Sequence, residues 1–334
     1  VKSMHLLLLS LRLHHVLNAM SSSISPLLIP PVLLASTFPS TSGPLSFASL
    51  PPPPDASSTP VLLVHGLDSS AHTWRRIINI LGSYSVASVA VDLRGHGLSD
   101  LGDADVFGMK PVLEDIDRFV DRHPLFRKKK FIFVGHSMGG RIGMCYAARY
   151  PGRLAALVVE DMDTRPRKMS ENPIPPPSIN IFDRRTSSEA EARSSLSNGG
   201  YPVSMIDRWV SDGRLRPDVE GDGGWWSDVS PVTRALCYEY LLCTDEGREA
   251  WRIIFGGSEG PALNVHVMVA GGGTVCEEGE IKEMARIAGG KGDRLKLHRY
   301  PGAAHSIHNS ATDAFIETLV NVVRYGDESD PLNT

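Results

Sequence analysis

Acidic residues are missing from the first 54 positions, where Lys2 and Arg12 are the only permanent cations. Long hydrophobic runs are missing throughout: the absence of any 18-residue apolar stretch argues against an integral membrane helix. Cysteine is scarce. Cys145, Cys237, Cys243 and Cys276 have neither CxxC nor metal-ligand spacing, so reduced thiols are expected, with no disulfide framework and no metal site. No block of five like charges occurs and the formal net charge is -4, so neither nucleic acid nor an anionic membrane is an expected partner. One further absence bears on chemistry: the stretch MVAGGGTVCEE (268–278) ends an apolar run in three glycines and Thr274, with no aspartate.

The Ser-, Leu- and Pro-rich opening cannot build a packed domain, and prolines at 26, 30, 31 and 39 preclude one long helix. Abundant serine without acids fits an organelle transit peptide, so residues 1–43 are read as a targeting or disordered segment for a mitochondrion or plastid. Two short apolar runs leave open a secretory or bipartite signal. Initiation at Met4 or Met20 would leave a cytoplasmic protein instead. The PPPP at 51–54 is a linker.

From position 59 a regular rhythm begins. PVLLVHG, VASVAVDLRGHG, KKFIFVGHS and LAALVVEDM read as strands, and AHTWRRIINILG, MKPVLEDIDRFVDRH and MGGRIGMCYAARY as the helices between them. That alternation implies a mostly parallel sheet flanked by helices. The rhythm breaks at 164–260, where PVTRALCYEYLL and GREAWRIIF are the firm helices. It resumes with NVHVMVAGG, EEGEIKEMARIAG, RLKLHRYPG and ATDAFIETLVNVVRYG. The expected organisation is an α/β core over 44–163 and 261–326. A mainly helical lid over 164–260 follows the sixth strand, and 327–334 forms a C-terminal tail.

The chemistry-bearing motif is VGHSMGG. Gly135-His136-Ser137-Met138-Gly139 is a G-x-S-x-G between strand and helix, in which Gly135 and Gly139 permit a turn tight enough to expose the Ser137 hydroxyl. The Met138 N–H opens the next helix and can donate to an oxyanion. Gly66 turns the chain so that the Leu67 N–H can point to the same spot. The general base belongs on the loop after the last strand, where YPGAAHSIHNS offers His305, with His308 as a packing or capping residue. His65, His96 and His136 read as loop-bracing histidines.

HG at 65–66, DLRGHGLS at 92–99, GHSMGG at 135–140 and GAAH at 302–305 together resemble the α/β-hydrolase family, over about Leu45 to Arg324. In VLLVHGLDSS, LAALVVEDM and GGGT the chain is similar to a finer branch, that of α/β-hydrolase-domain-containing protein 11 and bacterial acyl-esterases. As in that branch, one strand-like piece, PLSFASL, precedes PVLLVHG in place of a long N-terminal hairpin. The resemblance implies an α/β-hydrolase fold, a triad aspartate within VVEDM at Asp161, and a supporting residue at Thr274 where the branch has serine. Gly273 departs from the branch, which has asparagine there, and a looser loop is the expected consequence.

The residues themselves lead to the same acid. Asp161 ends an apolar strand at the edge where the site must lie, and Glu160 points the other way by strand alternation. Asp163 shares the parity of Asp161 and is its rival; Glu277 and Glu278 fit the acidic first turn of a helix but stay open as alternatives.

A serine, a histidine and an acid with two backbone donors make an acyl-transfer site that needs no cofactor. The expected function is hydrolysis of a carboxylic ester or thioester with a small or medium apolar acyl group, the partner being a small-molecule ester. Tyr201, Trp209, Trp225, Trp226, Tyr238 and Tyr240 are candidates for the pocket lining. Other readings on the same fold are a carbon–carbon bond hydrolase, a quinone-biosynthesis lyase, a perhydrolase, or a non-catalytic ligand- or partner-binding module. Oligomeric state leaves no mark in the sequence.

Overall fold

The computed structural model describes residues 34–39, 44–49, 59–172, 184–218, 223–256, 262–289 and 294–325. The core strands in chain order are β1 (Leu34–Pro39), β2 (Pro44–Ser49), β3 (Val61–Val64), β4 (Ser88–Val91), β5 (Phe131–His136) and β6 (Leu154–Glu160). Helices α1 (Arg75–Ser83), α2 (Met109–Arg122) and α3 (Met138–Arg149) separate the later ones. After β6 come β7 (Arg185–Thr186), α4 (Glu189–Asn198), α5 (Val203–Ser211), β8 (Leu215–Pro217), β9 (Trp225–Ser227), α6 (Pro231–Cys237) and α7 (Glu246–Phe255). The core closes with β10 (Asn264–Ala270), α8 (Glu278–Ala288), β11 (Leu295–Tyr300), α9 (Ile307–Ser310) and α10 (Thr312–Tyr325).

One eight-stranded sheet carries the fold, in the order β1-β2-β4-β3-β5-β6-β10-β11. Strands β4, β3, β5, β6, β10 and β11 run parallel, while β1 pairs antiparallel with β2 and β2 antiparallel with β4 at one edge. Side-chain alternation divides the sheet between two cores. Leu62, Val64, Phe133 and Val159 face α2, α3 and α8. Val61, Leu63, Ile132 and Val134 face α1 and α10, meeting Ile77, Leu81, Phe315 and Leu319. From β3 the chain crosses to β4 on one side and then returns to β5 on the other. The crevice of a doubly wound sheet opens at that reversal, outside the carboxyl ends of β3 and β5.

Two features depart from the sequence expectation. The single strand-like piece expected before β3 is half of a hairpin: β1 pairs with β2 in register from Leu34↔Ser49 to Pro39↔Pro44. Residues 34–39 therefore belong to the sheet, although they lie inside the segment read as targeting sequence. The remainder of 1–43, and the tail 327–334, lie outside the described residues. The strand escaped notice because LASTFP lies in a Ser-, Leu- and Pro-rich stretch and itself carries a proline, which an edge strand tolerates. The 164–260 insertion also holds more order than two helices. Helices α4 and α5 and the antiparallel sheet β7-β9-β8 surround a small core of their own, made of Ala192, Leu196, Tyr201, Ile206, Trp209, Leu215 and Val229. Helix α4, EAEARSSLSN, presents only Ala192 and Leu196 to that core, too weak an apolar stripe to signal a helix, and is started instead by the Ser188 cap. No helix among the described residues is long and apolar enough to cross a membrane.

Buried histidines brace the core loops. His65 Nε2 accepts from the Leu93 N–H (3.1 Å), so its Nδ1 carries the proton and donates to the Gly66 carbonyl (2.7 Å). His96 packs on it with ring centroids 4.9 Å apart. Burial pushes His65 down to about 4, His136 and His266 to about 3, and His96 well below its ordinary value.

Two measurements follow from this packing. A Cβ on Gly139 would sit 2.4 Å from the Val64 carbonyl oxygen, whereas one on Gly279, exposed in α8, meets nothing within 4 Å. Gly139→Ala is expected to cost about 1–3 kcal/mol in urea unfolding, and Gly279→Ala to add about 0.5–1 kcal/mol; equal effects would contradict the packing. The second measurement concerns pH. The unfolded chain's histidines bind protons near their ordinary value of about 6.5, which the four buried ones in the folded state do not. Between pH 7 and 5 the unfolded chain thus holds more protons, and stability falls on acidification, by up to ~1.4 kcal/mol per pH unit for each histidine. Asp92, raised to about 6 by burial, opposes this with a single proton. Unfolding free energies that stay flat from pH 7 to 5 would contradict the assignment.

Candidate active site

Where β5 ends, Ser137 takes a left-handed backbone (φ 52°, ψ -120°) before α3 begins. An L residue pays strain for this, so neighbours must hold it in place. The Ser137 N–H donates to the Glu160 carbonyl at 2.8 Å, and its own carbonyl accepts from the Gly140 and Arg141 N–H groups. The glycines are required by contact: a Cβ on Gly135 would lie 2.2 Å from the Gly139 oxygen. A Cβ on Gly66 would lie 3.1 Å from the Ser137 Cβ, so the loop after β3 passes directly beside the serine. Leu67 follows on that loop and lines the same cavity as Ser137. The Met138 N–H is the first of α3, where no carbonyl one turn back exists to receive it.

Asp161 follows β6, also left-handed (φ 47°), with its N–H tied to the Met268 carbonyl at 2.8 Å. Its carboxylate is fully enclosed by donors. Oδ1 accepts from the Ala270 N–H (2.9 Å) and the Thr274 hydroxyl (2.6 Å), and Oδ2 from the Val275 N–H (3.2 Å). His305 Nδ1 stands 2.7 Å from Oδ2. Burial opposes the charge, but the hydrogen bonds from His305, Thr274 and Ala270 outweigh it and hold the carboxyl below its ordinary value. With Nδ1 committed to Asp161, His305 Nε2 has no partner among the described residues, and His305 and Ser137 line one cavity. Gly273 is left-handed at φ 68°, a conformation that glycine adopts freely and asparagine tolerates. Its departure from the related sequences therefore leaves the loop backbone able to present Thr274.

The other acids are engaged elsewhere. Asp163 pairs with Arg167 (3.1 Å) and accepts from the Arg165 and Glu277 N–H groups. Glu277 reaches Arg165 at 3.0 Å and Glu278 reaches Arg299 at 2.9 Å. None of the three contacts His305 among the described residues. Glu160 points to the opposite side from Asp161, where its carboxylate takes the His308 N–H and lies 2.9 Å from His308 Nδ1. Burial opposes that charge as well, and His308 and His136 hold it below the ordinary value. Neutral His136 fits against this pair and donates from Nε2 to the His305 carbonyl at 3.2 Å, bracing the His305 loop. His136, Glu160 and His308 place three ligand atoms within 4.8 Å of one another, all buried. They serve as a hydrogen-bonded cluster: the Glu160 carboxylate is taken by His308, and His308 Nε2 lies 2.9 Å from the Thr73 hydroxyl.

The cavity above Ser137 measures about 1480 Å³. Of the aromatics expected to line it, Tyr238 does. Tyr201 and Trp209 are buried in the insertion's own core, and Trp225 packs against it. Trp226 donates to the Gly97 carbonyl beneath Arg184 and Arg185, and Tyr240 is exposed. Arginines provide much of the wall instead, contributed by α1, α5, α6 and the loops of the insertion. Sequence reading missed them because a charged side chain on a surface loop looks alike whether it meets solvent or a cleft.

The model for the alpha/beta hydrolase fold family matches residues 59–186. The chain is 28% identical over 199 residues to lipase LipV of Mycobacterium tuberculosis, covering 58% of this chain and 61% of that protein. It is 27% identical over 180 residues to the alpha/beta hydrolase domain-containing protein VTE7 of Arabidopsis thaliana, covering 51% of each. It thus spans less than two thirds of the curated relatives it matches. Among solved structures it superimposes on E-2-(acetamidomethylene)succinate hydrolase with a TM-score of 0.64 at 19% identity, covering 88% of this chain and 100% of that one. The thioesterase domain from the curacin biosynthetic pathway gives a TM-score of 0.64 at 17% identity, covering 86% and 99%. Sheet order, serine elbow and these likenesses agree on the α/β-hydrolase fold for this chain.

Proposed function

We propose that the protein is a serine hydrolase that cleaves a carboxylic ester or thioester through Ser137, His305 and Asp161. The observation that carries this is the 2.7 Å contact between His305 Nδ1 and Asp161 Oδ2, with the other histidine nitrogen unpartnered in the cavity that Ser137 lines. Lipase and esterase names among the relatives, such as LipV and the monoacylglycerol lipase of Mycolicibacterium smegmatis, support the same class.

In this reading Ser137 Oγ attacks the acyl carbonyl while His305 Nε2 takes its proton, and Asp161 holds the imidazole in the tautomer that has Nε2 free. The Leu67 and Met138 N–H groups receive the oxyanion. Collapse of the tetrahedral intermediate expels the alcohol or thiol, which takes the proton back from His305. Water, activated by the same histidine, then releases the acid and restores Ser137. Thr274 fixes the carboxylate from behind, and the 164–260 insertion acts as a lid over the cavity.

A fluorophosphonate probe should label the protein and fail to label Ser137→Ala; folded wild-type protein that takes no label would overturn the reading. Asp161→Asn is expected to lower kcat for a p-nitrophenyl ester by about 10⁴. Loss of one hydrogen bond in Thr274→Val should cost roughly tenfold. Glu278→Gln, which alters only an exposed ion pair with Arg299, should change kcat less than about twofold. A larger loss in Glu278→Gln than in Asp161→Asn would move the acid to the later strand.

A further inference from the structure

The cavity that holds Ser137 and His305 carries a positive excess that an apolar acyl group does not explain. Among the described residues seven arginines line it against four carboxylates, in a chain whose formal net charge is -4. Three of the seven account for all four carboxylates. Arg234 forms a close ion pair with Asp68, Arg208 meets Asp212 at 3.4 Å, and Arg165 takes both Glu171 and Glu277 at 3.0 Å.

The remaining four have no lining carboxylate within ion-pair distance. Arg75 and Arg76 are exposed on α1 and form no ion pair among the described residues. Arg214 is half-buried, donates to the Asp68 carbonyl at 2.9 Å, and lies over the Trp209 ring, 5.6 Å from its centroid. Arg167 is the most constrained: it is only 8% exposed and uses Nη2 on Asp163 (3.1 Å) and the Met162 sulfur (3.3 Å). Its Nη1 is buried with no hydrogen-bond partner among the described residues. A buried guanidinium donor left unsatisfied is costly, and the planar fork of arginine is shaped to receive two oxygens of a carboxylate or phosphate. Arg167 stands close to the chemistry, following on the same loop from Met162 and Asp161.

We propose that the substrate is anionic, an ester or thioester bearing a carboxylate or phosphate that is received by the unpartnered edge of Arg167, with Arg214 adding charge at the cavity wall. This rests on the hydrolase reading of Ser137 and narrows its substrate from an apolar to a negatively charged ester.

The test separates binding from turnover. Calorimetric titration of Ser137→Ala protein with succinate and, separately, with inorganic phosphate reads recognition without catalysis. At least one anion should bind and compete with the other, and which binds tighter distinguishes carboxylate from phosphate. Adding Arg167→Gln should weaken binding at least tenfold, and Arg167→Lys, which keeps the charge but not the fork, by an intermediate factor. Arg286→Gln, on the exposed outer face of α8, should not change it. For turnover, mono-p-nitrophenyl succinate is compared with p-nitrophenyl butyrate, a neutral ester of equal chain length. The wild-type kcat/KM ratio should favour the anion by at least tenfold and fall toward one in Arg167→Gln, the change lying in KM; Arg214→Gln should reduce it less. Absence of binding by either anion, or an equal ratio in wild type and Arg167→Gln, would overturn the proposal. Ser137-dependent cleavage without anion preference would overturn it while leaving the hydrolase reading intact. Anion binding without cleavage of either ester would sustain it and remove the hydrolase reading.

Discussion

Everything at the candidate site is organised by the carboxylate of Asp161. It lies at the end of β6, yet it receives donors from Ala270 at the end of β10, from Thr274 and Val275 on the loop that follows, and from His305 on the loop after β11. One buried anion thereby ties together three segments that are remote in the chain. The cost of burying it is offset only because each oxygen is met by donors, and that same enclosure fixes which histidine nitrogen is left free.

The serine side is built on a different constraint, that of steric room. The chain between β5 and α3 passes so close to itself that Gly135 and Gly139 are compelled by backbone oxygens 2.2 and 2.4 Å from where a Cβ would stand. The strained Ser137 backbone is held by the Glu160 carbonyl, and Glu160 in turn is anchored by His308. Neighbouring residues on β6 thus serve the two halves of the site: the main chain and side chain of Glu160 steady the elbow loop and α9, while Asp161 steadies His305. Strand alternation makes that division possible, because side chains 160 and 161 emerge on opposite faces.

The insertion adds the third ingredient. Its aromatic residues satisfy its own small core, with Tyr201 and Trp209 packed edge to face at 4.9 Å, and its arginines are what it turns toward the cavity. An insertion with a core of its own can hold long charged side chains in defined positions, which a mobile loop cannot. The resulting wall is rich in arginine where the sequence reading expected aromatic residues.

Much of this was legible beforehand, and the reason differs from element to element. The parallel strands are short β-branched runs closed by glycine, and buried strands leave that mark because both of their faces are apolar. Ser137 was visible because the elbow demands glycines at fixed spacing. The edge strand β1 was hidden in a Ser- and Pro-rich stretch, since an edge needs apolar residues on neither face. Helix α4 was hidden because a cap and a tertiary contact, rather than periodicity, hold it. What separates Asp161 from Asp163 is that two side chains two residues apart meet partners over a hundred residues away: His305 for one and the Glu277 N–H for the other. The arginines of the cavity wall left no local mark at all. By itself the sequence determined the layered α/β core and the serine elbow, because burial on both faces and steric crowding act between near neighbours and write themselves as periodicity and spacing. Only the tertiary structure decided the partners of Asp161 and the charge of the cavity, because hydrogen bonds and ion pairs join residues whose distance apart in the chain leaves no pattern to read.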